Sequence, residues 1–193
     1  MGTELTAGDR RTRKTKKAIK GAFLSLLKKT DVSKISVTDI SALADINRKT
    51  FYSHYSSVSA VTDDLENDLA ELFLNLLGEN NINGFIADPY PLFKQLSKVI
   101  SDDMDYYGLI FKSDASSTIL EKVKKIINEK LIELVTEDSS FSSDLSPYTV
   151  SYFTAGLIGA FEVWFNSEKP ISLEELSRHL NRITANGFQA IKV

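Results

Sequence analysis

Cysteine is absent from the sequence, and only two histidines, His54 and His179, occur among its 193 residues. The absence of cysteine excludes disulfides and thiolate metal ligands, and it suits a reducing cytoplasm. The two histidines lie far apart in the sequence, so no histidine-based metal site is predicted. No apolar run approaches the roughly 18 residues that a membrane-spanning helix needs. We therefore predict a cytoplasmic protein without a metal site and without a membrane partner.

Motifs of catalysis are also missing from the sequence. The chain has no glycine-rich phosphate loop, no nucleophile elbow and no zinc-binding helix motif. Asp102 and Asp103 are adjacent acids, but neighbouring positions of a helix point roughly 100° apart, so they make a poor catalytic pair. The sequence therefore gives no support for an enzyme, and it predicts no cofactor.

Charge is unevenly divided along the chain. Residues 1–55 hold twelve Lys and Arg against five Asp and Glu, a net charge of +7. Residues 56–193 hold eleven against twenty-one, a net charge of −10. A basic N-terminal part followed by an acidic remainder is expected when only one end of a protein meets a polyanion such as DNA.

The stretch from Ser36 to Tyr55 predicts two short helices joined by a tight turn. Ser36 and Asp39 have the spacing of a capping box, in which each side chain accepts a bond from the other residue's backbone N–H. Asn47 can cap the second helix through its side-chain oxygen. Phe51 and Tyr55 are four residues apart and point one face of this helix inward.

The other face of the second helix carries hydrogen-bond donors and positive charge. These groups can meet phosphate oxygens and base edges, and they belong to Arg48, Lys49, Thr50, Tyr52 and His54. Two short helices with such an outer face are typical of a helix-turn-helix motif, whose second helix enters the major groove of DNA.

This stretch resembles the N-terminal domain of the TetR family of transcriptional regulators. The resemblance rests on Thr-Asp-Ile at residues 38–40 and on ADINRKTFYSHY at residues 44–55. It implies an all-α, TetR-like fold with a three-helix helix-turn-helix head and a larger C-terminal helical body that binds ligands and dimerises. In TetR-like proteins the last two helices pair with their twins into a four-helix interface, so the resemblance implies a homodimer.

Two positions depart from the pattern of the family. Most members carry a phosphate-anchoring lysine at the position of Val58, and the turn usually holds a glycine at the position of Asp45. These departures favour an alternative function, namely a helical protein-interaction module or co-regulator that has lost direct DNA binding.

A cluster of basic residues precedes the motif. It leads into a helix with Ile19, Phe23 and Leu27 on one side, which we expect to pack on the motif as its third helix. The basic start of this helix can lie along the phosphate backbone, with Lys14 and Lys17 as contacts. The whole run consists of Arg10, Arg11, Arg13, Lys14, Lys16, Lys17 and Lys20.

The remainder of the chain predicts helices joined by polar loops. Apolar residues recur at helical spacing from Ser57 to Gly78, and the Gly- and Asn-rich segment 78–91 is predicted to be a loop. We place the DNA-binding domain at residues 10–56 and the regulatory and dimerisation domain at residues 57–193.

A strip of small residues lies in the next-to-last predicted helix. Small side chains three and four residues apart predict the close approach of another helix, from the same chain or from a second copy. The strip consists of Ala155, Gly156, Gly159 and Ala160.

Many aromatic residues of the body could pack a core or line an effector pocket. The candidate pocket residues are Tyr106, Tyr152, Glu162 and Trp164. Glu162 interrupts an otherwise apolar helix, and a buried carboxylate needs a partner. That partner could be a cationic ligand or a basic side chain of the protein.

Together these features predict a DNA-binding transcriptional regulator. It would be a repressor that binds a palindromic operator in double-stranded DNA as a homodimer, and its affinity would be set by an unknown small-molecule or protein effector. The predicted DNA contacts are Thr38, Asn47, Arg48, Lys49, Thr50, Tyr52, His54, Lys14 and Lys17.

Overall fold

The computed structural model describes residues 7–80, 82–112, 117–136, 146–168 and 171–190 of the chain. These residues form ten α-helices and one short 3-10 helix, Val32–Lys34, and contain no strand. None of these helices is both long enough and apolar enough to span a membrane. The α-helices are α1 (Ala7–Leu27), α2 (Val37–Leu43), α3 (Arg48–Tyr52), α4 (Val58–Asn80), α5 (Ile82–Ala87), α6 (Tyr90–Asp102), α7 (Met104–Phe111), α8 (Ser117–Thr136), α9 (Ser146–Asn166) and α10 (Leu173–Ala190).

The chain divides into two compact units. The first unit, here called the head, is residues 1–65 with 113–117, and the second unit, here called the body, is residues 66–112 with 118–193. The division therefore falls inside α4, whereas the sequence placed it at residues 56–57. The first turns of α4 cluster with the head because Val61 and Leu65 are fully buried and Asp64 bonds to α1.

The head buries one face of each of its helices. Ile19, Phe23 and Leu24 of α1 are fully buried, as are Ile40 of α2 and Phe51 of α3. Helix α2 packs between α1 and α3. This confirms the sequence-based expectation that the basic N-terminal helix is the third member of the motif.

Helix α2 begins with the predicted capping box. The Asp39 backbone N–H donates to Ser36 Oγ at 3.2 Å, and the Ser36 backbone N–H donates to Asp39 Oδ2 at 3.1 Å. These bonds satisfy donors that a helix start otherwise leaves unpaired. The Ser36 hydroxyl, which donates to Asp39 Oδ2 at 2.6 Å, and the Ser36 backbone N–H together hold the pKa of Asp39 below its usual value.

In the body, α6 packs against α10 and α7 packs against α9. Ser97 of α6 and Ser177 of α10 are buried and hydrogen-bonded to each other. Ser97 Oγ lies 3.3 Å from the Leu173 carbonyl oxygen, and Ser177 Oγ lies 3.2 Å from the Phe93 carbonyl oxygen. Because each hydroxyl has one proton, one serine donates to the other, which in turn donates to its carbonyl. A second capping box, formed by Ser172 and Glu175, starts α10.

The segment 78–91 is not the loop that its Gly and Asn content predicted. Helix α4 continues to Asn80, and α5 occupies Ile82–Ala87. Phe85 is almost fully buried, and α5 packs against α6 and α10. Burial of this side chain outweighs the weak helix propensity of the glycine and asparagines around it.

Candidate nucleic-acid interface

Helix α3 is fixed from its inner face. Phe51 is fully buried, and Tyr55, just beyond the end of the helix, is almost fully buried. The Tyr55 hydroxyl donates to Asp64 Oδ2 at 2.6 Å, which ties the end of the motif to α4. Because the inner face is anchored in this way, the orientation of the outer face is set by the core of the head.

Asp64 joins three segments of the head. Its carboxylate lies 2.7 Å from Lys20 Nζ and 3.2 Å from Lys16 Nζ, both on α1. The Lys16 ammonium also lies 5.3 Å from the centre of the Tyr55 ring. Burial raises the pKa of Asp64, but hydrogen bonds from Lys20, Tyr55 and Lys16 and the charge of Lys20 outweigh it and lower this pKa to about 2.

This network changes the interpretation of the basic run in α1. Lys20 is 3% exposed and Lys16 is half-buried, so these two charges hold the head together. Lys14 and Lys17, the two predicted backbone contacts, are exposed. Arg10, Arg11 and Arg13 are exposed as well.

The N-terminus of α3 is capped as predicted. The Thr50 backbone N–H and the Thr50 hydroxyl both donate to Asn47 Oδ1, at 2.7 and 3.1 Å. The carbonyl oxygen of the Asn47 side chain is therefore occupied by the helix cap. Its amide N–H₂ group is the part that can donate to an outside acceptor.

The predicted DNA contacts of the motif fall on two sides of α3. Arg48, Lys49 and Tyr52 are exposed on its outer side. Asn47, Thr50 and His54 instead line an open polar groove of about 480 Å³ that faces α1. Thr38 is exposed in the first turn of α2.

Sequence reasoning did not select the α1 side of this groove. Arg11, Thr12 and Thr15 line it together with Ser53 of the motif. Arg11 was counted in the basic run but not singled out as a contact. The spacing of residues 11, 12 and 15 places them on one helical face, and this signal could have identified them. The structure therefore adds one arginine to the surface that Asn47, Thr50 and His54 share.

Asp45 occupies the turn between α2 and α3 with a φ of 53°. This left-handed conformation favours glycine, and aspartate tolerates it better than most other residues do. The side chain also lines the polar groove. The departure from the family's glycine therefore adds backbone strain and a negative charge beside the candidate DNA surface.

Asp45→Gly is expected to raise the free energy of unfolding of the head by up to about 1 kcal/mol, because the left-handed strain is removed. It is also expected to raise DNA affinity several-fold, because a carboxylate leaves the groove. Asp45→Asn is the matched control, since it removes the charge but keeps a side chain in the strained turn. Asparagine should therefore reproduce the gain in affinity without the gain in melting temperature. Lower affinity in both variants would contradict this role for Asp45.

The four predicted pocket residues do not line the apolar cavity of the body. That cavity has a volume of about 70 Å³ and lies among α4, α6, α7, α8 and α9. Tyr106 is half-buried and meets Tyr107 edge to face, with ring centres 5.6 Å apart. Trp164 is buried, and its indole N–H donates to the Ile171 carbonyl at 2.9 Å.

Two of these residues are also more exposed than residues that line a buried pocket. Tyr152 is 79% exposed, because it lies on a face of α9 that no other described part of the chain covers. Glu162 is half-buried and is not among the residues of the cavity wall. A cationic ligand at Glu162 stays a prediction.

The C-terminal half of the chain matches a known family. A family model described as "Transcriptional regulator C-terminal region" (TetR_C_8) matches residues 87–186, just over half of the chain. No curated protein sequence matches this chain.

Several solved structures share the fold at low sequence identity. A TetR transcriptional regulator from Streptococcus agalactiae 2603V is 23% identical, with a TM-score of 0.56 over 96% of this chain and 98% of that chain. The dihydroxyacetone kinase operon activator DhaS is 20% identical, with a TM-score of 0.53 over 93% and 98%. NalD of Pseudomonas aeruginosa, the secondary repressor of the MexAB-OprM multidrug efflux pump, is 15% identical, with a TM-score of 0.58 over 92% and 97%.

The family match and these likenesses agree with the all-α, helix-turn-helix architecture. They concern transcriptional regulators and not enzymes. Because the family model covers more than half of its residues, this chain belongs to the TetR family of transcriptional regulators.

Proposed function

We propose that this protein is a homodimeric repressor that binds a palindromic operator and releases it when an effector occupies the body. This proposal rests on the exposed outer side of α3. Arg48, Lys49 and Tyr52 stand there on a helix whose inner face is locked by Phe51 and Tyr55. A rigid helix with an exposed cationic face is what reading of the major groove requires.

The exposed groups divide into base-reading and phosphate-binding roles. Arg48, Lys49 and Thr50 lie in the first turn of α3, and the N-terminal residues of a recognition helix contact base edges. We assign Tyr52 and His54 to phosphates. The remaining phosphate and groove contacts are Thr38, Asn47, Lys14, Lys17 and Arg11.

Dimerisation through α9 and α10 is supported by exposed apolar side chains. Tyr148, Tyr152 and Val163 of α9 are 75%, 79% and 72% exposed. A Cβ added at Gly156 or Gly159, on the same helical face, would meet nothing within 4 Å. A contiguous exposed apolar face marks an interaction surface.

The small-residue strip of α9 was predicted to admit another helix, from the same chain or from a second copy. Helix α10 contributes the exposed Ile183, so both C-terminal helices carry apolar surface. A two-fold pairing of these helices is the self-complementary arrangement that buries it, and two heads related by the same axis would read a palindrome.

The proposed direction of regulation is repression, in which a dimer seated on its operator hinders transcription. Among the structural relatives, NalD is named a repressor and DhaS an activator. A reporter gene under the protein's own promoter decides between them. Lower expression in the presence of the protein supports repression, and higher expression overturns it. Binding to chromosomal DNA would place the protein in the cytoplasm.

Tyr152→Glu is expected to convert the dimer into a monomer, because it places a charge at the apolar interface once from each subunit. The molecular mass measured by sedimentation should fall from twice the chain mass of 21.5 kDa to that mass. The same variant should lose the gel shift of the DNA upstream of its own gene, since a single head holds only one half-site.

Tyr152→Phe is the matched control for this experiment. It keeps the apolar ring and should remain dimeric and shift the DNA. A wild-type protein that sediments as a monomer would contradict the proposed interface. A wild-type dimer that gives no shift would instead favour the interaction module that has lost DNA binding.

A further inference from the structure

The amide oxygen of Asn47 is fully occupied within the head. Both the backbone N–H and the hydroxyl of Thr50 donate to Asn47 Oδ1, at 2.7 and 3.1 Å. A carbonyl oxygen has two lone pairs, so this oxygen accepts no further bond. The Asn47 side chain is exposed, and only its N–H₂ group remains available to DNA.

This occupancy excludes adenine recognition by Asn47. Asparagine reads adenine through a pair of bonds, in which its N–H₂ group donates to N7 and its oxygen accepts from N6–H₂. Because Thr50 occupies the oxygen, the second bond of this pair is lost. The remaining donor suits a phosphate oxygen, and Asn47 lines the polar groove together with Arg11 and His54.

The two cationic side chains on the outer side of α3 carry donors and no acceptor. Arg48 and Lys49 are exposed, and neither side chain forms a hydrogen bond or an ion pair with another residue that the structure describes. In the major groove only guanine presents two adjacent acceptors, N7 and O6, whereas adenine places the donor N6–H₂ beside its N7. An arginine or lysine that faces adenine therefore loses one bond and sets a donor against a donor.

We infer that this protein reads guanine: each operator half-site carries guanine at the base pairs that Arg48 and Lys49 meet, and Asn47 binds a phosphate without reading a base. Thr50 adds no donor for a base, because its hydroxyl proton is held by Asn47. The inference rests on the proposed function, since it names the bases that the DNA-binding surface recognises.

Duplexes with altered purines test the inference. The probe is a duplex that the wild-type protein enriches from a random pool, copied with 7-deazaguanine in place of every guanine or with 7-deazaadenine in place of every adenine. Each analogue pairs normally but lacks the N7 acceptor. The 7-deazaguanine duplex should bind at least about tenfold more weakly, because a bond to a charged side chain is lost in both half-sites. The 7-deazaadenine duplex should bind like the unmodified one.

Two variants assign these effects to residues. Arg48→Ala should lose most of the sensitivity to 7-deazaguanine, because the guanidinium that bonds to N7 is gone. Asn47→Ser keeps a good helix cap but removes the amide group, so it should weaken binding to all three duplexes by the same factor. Sensitivity of the wild type to 7-deazaadenine that disappears in Asn47→Ser would show that Asn47 reads adenine and would overturn the inference.

The same measurements separate this inference from the proposed function. Tight binding that 7-deazaguanine leaves unchanged would refute guanine reading and leave the DNA-binding function standing. Enrichment of no duplex from the pool would refute the proposed function and this inference with it.

Discussion

Arg48→Ala is expected to weaken operator binding at least tenfold. Arg48 is exposed at the first helical position of α3, where the recognition helix meets base edges. A bidentate contact from arginine to guanine is worth about 1–3 kcal/mol of discrimination, which corresponds to roughly tenfold to hundredfold in affinity. A homodimer carries the substitution in both subunits, so the contact is lost at both half-sites of the operator.

The loss should depend on the DNA sequence. Arg48→Ala should bind the operator and a duplex altered at the contacted base pair with nearly equal affinity. Tyr52→Phe should instead weaken binding to every sequence by a similar, smaller factor, because a phosphate contact carries no sequence information. Fluorescence anisotropy with both duplexes measures the two effects.

Arg178→Ala is the charge-matched control. Arg178 is an exposed residue of α10 that lies 3.5 Å from Glu174, within the body. Its removal changes the net charge by the same amount as Arg48→Ala but leaves α3 intact. We expect operator affinity within twofold of the wild type. If Arg48→Ala and Tyr52→Phe both bind like this control, the outer side of α3 does not face DNA.

Asp64→Ala is expected to destabilise the head by about 2–4 kcal/mol. It leaves Lys20, which is buried, without the carboxylate that lies 2.7 Å from its ammonium. Removing one partner of a buried ion pair costs about 3–5 kcal/mol, and the lower range applies because the Asp64 side chain is 28% exposed. Hydrogen exchange of α1 and α3 amides reports the loss.

Two further variants show whether the pair itself is responsible. Asp63→Ala removes a neighbouring, exposed carboxylate and should change stability by less than about 0.5 kcal/mol. The double variant Asp64→Leu with Lys20→Met replaces both charges by apolar groups and should recover much of the lost stability. Equal destabilisation by Asp63→Ala and Asp64→Ala would contradict the role of the network.

The same network predicts how head stability depends on pH. The pKa of Asp64 is lowered from 3.8 to about 2, so the unfolded head binds more protons than the folded head between these values. The contribution of Asp64 to the stability of the head is therefore fully present above about pH 4 and is lost as the pH falls through 2. A shift of this size corresponds to about 2 kcal/mol. The Asp64→Ala variant should not show this loss of head stability between about pH 4 and 2.

Features set by nearby residues were predictable from the sequence. The capping pair Ser36 and Asp39 and the cap Asn47 depend only on residues within three positions of one another. The inward face of α3 follows from the spacing of Phe51 and Tyr55 in the same way. These local signals were enough to locate the motif and its exposed face.

Features that depend on distant contacts were not predictable. Asp64 meets Lys20 across 44 positions of sequence. The spacing of Lys20 from Phe23 and Leu27 places it on the inner face of α1 but does not identify its partner. Ser97 and Ser177 are hydrogen-bonded across 80 positions, and nothing near either serine in the sequence indicates the other. Tertiary contacts decide such features, and a sequence pattern does not record them.

Selection of bound duplexes from a random pool tests the central claim most directly. Wild-type dimer should enrich a palindrome whose half-site centres lie about 10–10.5 base pairs, or a multiple of that, apart. Arg48→Ala should enrich a palindrome with relaxed preference at one symmetric pair of positions. Enrichment of no sequence, or of one with a single unrepeated half-site, would contradict a dimer that reads DNA with α3.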